Sequence, residues 1–469
     1  MTENGTVPTV CVCNAVDTLR LLAGRARRPG ESDAIVSEAF PQQDQSLFWL
    51  PTAKLILTEV PMAHLDWQCE LLGLQGVLNL SPAAPTGSIF DDIVADGVLL
   101  RGLLDYVGPG RRFRLIPHTT TRGLWEFVRT MSDRFGMRVE LPESCASQEL
   151  RDRLDTKSGF RELVADCGLG TARARTAEGA ECRSHEDAAE AAARITATGR
   201  TCILKPDRGE ASVGLITVRP SEPPDGVLRL LRESPYFAEH EPVVVEEYIE
   251  GDGVTFPSVE FTVPADPQRP PALTHVCEML FGEPTQVRGN VTAGSLKDEP
   301  WYEPFVASAT VIAAALQVRG YRGHFGIDAV ARPDGTVFML DLNSRRTGST
   351  HLRDFGLHFL GPERAEDTAV GHYDFYRLPR PTGLAALLRA LEPVVRSPRE
   401  HAEGVVPCEL TGLAHGRLSC VIFAPTLDRF HQLVQQTEQL LEPLRAAPGA
   451  APVGPQRRAS ATAKEGSRT

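Results

Sequence analysis

Two aspartates and an asparagine near residue 330 have the spacing that metal chemistry needs. The stretch from His324 to Asn343 reads as two strands joined at Asp334 and Gly335, a residue pair that favours a two-residue hairpin turn. With that turn Asp328 faces Asp341, and Asn343 shares the side of Asp341 because strand side chains repeat every two residues. Ile327, Ala331, Phe338, Leu340 and Leu342 are then expected on the core side, with Val330 and Met339 sharing the aspartate side. Carboxylates held across a strand pair lie about 4.5–5.5 Å apart at Cβ and repel unless something positive stands between them. A divalent cation meets that need. Mg²⁺ takes one or two carboxylates with phosphate and water, so Asp328, Asp341 and Asn343 suit a metal–nucleotide complex.

A second group lies upstream. Cys202–Lys205 reads as a strand running into a loop that carries Gly209, Ser212 and Gly214. Such a loop can turn backbone N–H groups toward phosphate oxygens while Lys205 supplies a compact charge. Lysine is informative here: only Lys54, Lys157, Lys205, Lys297 and Lys464 occur against an arginine-rich background. Val243–Ile249 is an apolar strand interrupted by Glu246 and Glu247, as expected where a chain runs beside an adenine.

These residues need scaffolds. Up to about residue 150, short strands alternate with helices: 9–13, a helix around Asp17–Arg25, 54–60, a helix from His64 to Leu72, 113–117, Leu124–Phe135 and 137–142. That alternation predicts an α/β layer on a parallel sheet. No Gly-x-Gly-x-x-Gly follows any of these strands, which argues against a dinucleotide site. From 151 the texture changes to a polar helix over Leu150–Cys167, an Ala-rich helix over His185–Ala197, strands at 201–205, 243–249 and 258–263, and a buried helix at 310–318. A smaller region over 356–445 ends in an amphipathic helix around Leu427–Leu444, and the tail 446–469 has a disorder-prone composition.

Composition narrows the partners. A net charge of −12 argues against a broad nucleic-acid surface. Ten cysteines without paired metal spacing fit a reduced, cytoplasmic chain. The start lacks the basic residues and long apolar run of a signal peptide, and no segment has the roughly 18 apolar residues of a membrane span.

In order along the chain, Asp155-Thr-Lys157, Ile203-Leu-Lys205 with its glycine loop, Glu246-Glu-Tyr-Ile-Glu-Gly251, Gly326-Ile-Asp328 and Asp341-Leu-Asn343-Ser-Arg345 resemble the ATP-grasp superfamily. The whole chain is similar to the pheganomycin-type peptide ligases, on Arg288-Gly-Asn290, Gly294-Ser295 and the run from Asn343 to His351. The resemblance implies an N-terminal α/β pre-ATP-grasp domain (1–150), an α+β ATP-grasp domain (151–355) whose two lobes clasp ATP, and the C-terminal region. It also implies Lys157 and Lys205 on the phosphates, Glu246, Glu247, Tyr248 and Ile249 as the hinge against the base, and Mg²⁺ on Asp328, Asp341 and Asn343. Arg345 and Arg288 are expected to stabilise charge during transfer. The implied reaction joins a small-molecule carboxylate to an amine or peptide through an acyl phosphate, in an enzyme that could be a homodimer. A free amino acid or a carrier protein as acceptor stays open, as does a non-catalytic ATP-binding regulator.

Overall fold

The computed structural model describes residues 7–23, 40–145, 147–209, 214–282 and 286–446. Strands β1 (Thr9–Val12), β2 (Lys54–Leu57), β3 (Val77–Leu80), β4 (Arg112–Pro117) and β5 (Arg138–Glu140) form a five-stranded sheet in the order β3-β2-β1-β4-β5. All its pairings are parallel. Helices cover the sheet, so β1 and β2 are buried at every position and read as unbroken runs in the sequence. The helices stop where local chemistry tells them to. Arg122–Phe135 begins under the Thr121 side chain, which accepts from Leu124 N, and ends at Gly136 in the left-handed region (φ 62°).

After residue 145 come β6 (Ala174–Thr176), β7 (Gly179–Cys182), β8 (Cys202–Pro206), β9 (Ile216–Val218) and β10 (Val243–Glu247), then β11 (Pro257–Val263), β12 (Ala272–Gly282), β13 (Gln286–Thr292), β14 (Gly323–Ala331) and β15 (Val337–Asn343). The last three strands are β16 (Ala369–Phe375), β17 (Gly404–Pro407) and β18 (Leu418–Ala424). Strands β7-β10-β8-β9 make a small antiparallel lobe, packed on the helices His185–Thr196 and Pro224–Glu233. The others form one nine-stranded sheet ordered β17-β18-β16-β13-β12-β11-β14-β15-β6. Residues after 356 therefore extend the same sheet that carries Asp328 and Asp341.

One face of the large sheet packs on the helix Tyr302–Val318, longer than the predicted 310–318, through Phe305, Ile312 and Leu316. The opposite face, at β16–β18, packs on Leu47, Phe48 and Ile56 of the N-terminal domain. The predicted helix Leu150–Cys167 is instead two helices, Gln148–Leu154 and Lys157–Asp166. Thr156 breaks it: its hydroxyl accepts from Gly159 N at 3.0 Å, ending one helix and capping the next, which places Lys157 in a first turn. Among the described residues no helix is long and apolar enough to cross a membrane.

Candidate active site

Asp328 faces Asp341 across β14 and β15, and Gly326 faces Asn343. The route to that register differs from the two-residue turn. Arg332 N bonds Thr336 O at 2.9 Å around a tighter contact from Gly335 N to Arg332 O, with Gly335 at φ +80°, so three residues form the turn. A bulge between Asp328 and Ala329 then leaves Leu340 unpaired and restores the facing aspartates. The extra residue also swaps the apolar side chains of β15. Val337 and Met339 enter the core, and Phe338 and Leu340 turn to the aspartate side, correcting the expected faces. There Val330 and Phe338 meet Ala177 and Ile249, with Phe256 and Leu340 packed against them, an apolar floor beside the carboxylates.

Asn343 Nδ2 donates to Asp328 Oδ2 at 2.9 Å. Burial first, and then the facing Asp341 charge, push the Asp328 carboxyl up to about 6. The Lys157 ammonium lies 3.9 Å from Asp341 Oδ2. Two hard carboxylates under mutual strain, with an amide beside them, are a donor set that fits Mg²⁺. The raised value means that folding disfavours the charged form, so its cost is fully present above pH 6 and fades as pH falls toward the unfolded value near 4. Asp328→Asn is therefore expected to stabilise the protein in EDTA at pH 7.5, by about 1–2 kcal/mol. The gain should shrink at pH 4.5; thermal melts showing a loss at pH 7.5, or a gain independent of pH, would refute the repulsion.

The small lobe brings the other charges. Glu246 is 1% exposed, and its carboxylate is held at 2.5 Å by Lys205 Nζ and at 2.5 Å by Arg161 Nη1. Glu247, one residue on, points to the other side and pairs with Arg200 at 2.9 Å and Arg332 at 3.3 Å. Tyr248 N bonds Thr201 O, and Ile249 sits in the apolar floor. Lys157 Nζ donates to Gly209 O at 3.1 Å, while Asp207 Oδ1 accepts from Ser158 N at 2.9 Å, tying the base of the glycine loop to the helix that carries Lys157. Gly214 has φ +81°, and a Cβ there would stand 2.7 Å from Tyr236 Cβ. Ser212 lies outside the described residues.

The segment after Asn343 is anchored at each step. Ser344 Oγ bonds Asp155 Oδ1 at 3.1 Å. Burial raises the Asp155 carboxyl, but the Arg151 and Arg345 charges outweigh it and hold the group below the ordinary value. Arg346 pairs with Glu143 at 2.5 Å, stacks 4.5 Å over Trp49, and donates its backbone N–H to His118 O. Thr347 and Thr350 hydroxyls both donate to Glu260 Oε2 at 2.9 Å. Arg345 lines a cavity of about 10 Å³ with His118, Glu143 and His324, where one water fits.

The fold as a whole is similar to that of solved enzymes. A biotin carboxylase from Campylobacter jejuni, solved with a β,γ-ATP analogue, is 11% identical with a TM-score of 0.57, over 94% of this chain and 95% of that one. An N5-carboxyaminoimidazole synthase from Aspergillus clavatus, in complex with ADP and 5-aminoimidazole ribonucleotide, is 14% identical with a TM-score of 0.53, over 93% and 99%. The biotin carboxylase domain dimer of Hydrogenobacter thermophilus 2-oxoglutarate carboxylase, solved with MgADP and bicarbonate, is 12% identical with a TM-score of 0.51, over 92% and 90%. The fold is that of the ATP-grasp enzymes. No family model and no curated protein matches the sequence.

On this ATP-grasp frame Lys157, Asp328, Asp341 and Asn343 stand together, and Arg345 joins them through Asp155 and Ser344. Lys205 and Glu246 meet on the small lobe. Arg288 lies on β13, three strands from β14, against Tyr376 and the Asp374 carbonyl. Sequence reading passed over Arg161, Asp207 and Glu260. Glu260 alone left a signal, the one charged residue in a strand of uncharged ones.

Proposed function

We propose that the chain is an ATP- and Mg²⁺-dependent carboxylate–amine ligase that forms ADP and joins an amino or guanidino acid to the N-terminus of a peptide. The observation that carries the reading is the Asp328–Asp341 pair, with Asn343 and Lys157 beside it. Solved neighbours of this fold that hold ADP or MgADP support the nucleotide. When bound, Mg²⁺ supplies charge neutralisation at the ATP phosphates; Asp328, Asp341 and Asn343 are the residues that would hold it.

Lys157 and Lys205 bring positive charge to the phosphate end, the apolar floor around Ile249 and Phe338 receives the base, and the segment from Glu246 at the end of β10 to Ile249 runs along it. The γ-phosphoryl passes to the substrate carboxylate and gives an acyl phosphate. Arg345 steadies the charge on that group. The amine then attacks the acyl carbon, an amide forms, and inorganic phosphate leaves.

The test is mass spectrometry of reactions containing ATP, Mg²⁺, amino and guanidino acids and short peptides, with nucleotides quantified. ADP with a new amide mass is the expected result. AMP with pyrophosphate, or tight ATP binding without turnover across the panel, would overturn it.

A further inference from the structure

Arg288 forms no ion pair among the described residues. Its guanidinium stacks 4.8 Å from the Tyr376 ring and donates through Nη1 to the Asp374 carbonyl at 3.2 Å. Its Nε is buried without a partner, and no carboxylate among the described residues lies within ion-pair distance. The stem needs a glycine beside it, since a Cβ at Gly282 would stand 2.6 Å from Nε.

The acids nearby are already committed. Asp374 accepts from Arg417 at 3.1 Å, Ser419 at 2.5 Å and the Tyr376 hydroxyl at 3.1 Å, and its Oδ1 lies 3.2 Å from His372 Nε2. Glu409 accepts from Arg417 at 2.8 Å and from Gln45 at 2.7 Å, and its Oε2 lies 2.8 Å from the Ser419 oxygen. These contacts engage Asp374 and Glu409 with partners other than the Arg288 guanidinium, which forms no ion pair of its own among the described residues. A half-buried guanidinium braced on a ring, with Nε shielded and Nη1 on the Asp374 carbonyl, is built to receive an anion on its remaining Nη donors.

Distance says which end of a substrate that anion occupies. Three strand spacings of about 4.8 Å, with Arg288 about four residues further along the sheet than Asp328, put the two backbones roughly 19 Å apart, and roughly 14 Å remains once the Arg288 side chain reaches inward. A free amino acid carries its amine and carboxylate on one Cα, on the order of 3 Å apart, and cannot touch both places. An extended chain of about four residues can, at roughly 3.3–3.6 Å each. Between the two places Phe256, Met279 and Asn290 are half-exposed on the intervening segments.

We infer that Arg288, braced on Tyr376, holds the C-terminal carboxylate of the acceptor, which is therefore a short peptide rather than a free amino acid. The inference rests on the ligase reading and gives it a specificity determinant. Its test compares one tetrapeptide as free acid and as C-terminal amide, in kcat/KM for ligation, with the wild-type enzyme and Arg288→Gln. The wild type should favour the acid at least about tenfold, the worth of one charge-assisted hydrogen bond. Arg288→Gln should bring the ratio within about twofold, and Arg288→Lys should keep part of it; a ratio is insensitive to partial loss of folded enzyme. Equal use of acid and amide by the wild type, an unchanged ratio in Arg288→Gln, or free amino acids matching tetrapeptides would overturn the anchor. ADP release with hydroxylamine as the nucleophile, run on the wild type, reports the acyl-phosphate step separately, and its absence with every acid would overturn the ligase reading and the anchor with it.

Discussion

Asp341→Ala is expected to lower ADP formation by about a thousandfold at saturating ATP and Mg²⁺, close to 4 kcal/mol of transition-state stabilisation. Asp341 has 35% of its side chain exposed, and it is the partner that Lys157 approaches. Its loss removes the proposed metal ligand and the acid that this ammonium approaches. The same change relieves Asp328 of a like charge that pushes its carboxyl up. Activity and stability should therefore separate: the variant melts no lower than wild type in EDTA while turnover collapses. Steady-state ADP release with a parallel melt checks both. Turnover within about tenfold of wild type would remove Asp341 from the metal site, and a large drop in melting temperature would mean that the pair is structural.

That the two aspartates face each other was readable from the turn residues, yet the reading reached the right pair by a wrong path. The actual turn is one residue longer, and an unpaired Leu340 restores the register. Both faces of β15 are apolar, so its pattern holds no trace of a bulge, and the expected positions of Phe338, Met339 and Leu340 were inverted. The consequence is functional, because the inverted residues supply the apolar floor beside the carboxylates. The alternating strands and helices of the N-terminal domain were legible because a sheet buried on both faces leaves short unbroken apolar runs. The break at Thr156 is a hydroxyl cap inside a helical pattern, which periodicity alone passes over. What sequence could not supply were partners far along the chain: Glu260 under Thr347 and Thr350, Arg161 against Glu246, and the place of Arg288 three strands from the aspartate hairpin.

The pairing of Arg161 with Glu246 carries the second large effect. Glu246 stands between Lys205 and Arg161, and the three join β8 and β10 of the small lobe to the helix Lys157–Asp166 beneath it. Glu246→Ala leaves two cations facing each other without an acid, in a place where Lys205 is 5% exposed. Breaking a buried pair in that way costs about 3–5 kcal/mol. Lys205→Met removes the charge meant for phosphate but leaves Glu246 with Arg161, so its stability cost should be smaller, about 1–2 kcal/mol. For activity the order reverses. Lys205→Met should lose ATP affinity and turnover even where the lobe stays folded, whereas Glu246→Ala acts through the aim of a lysine that remains present. Hydrogen exchange of β8 and β10 reports the lobe, and ATP titration reports the lysine. Equal protection of these strands in wild type and Glu246→Ala would show that the triad does not hold the lobe together, and unchanged ATP affinity in Lys205→Met would take Lys205 off the phosphates.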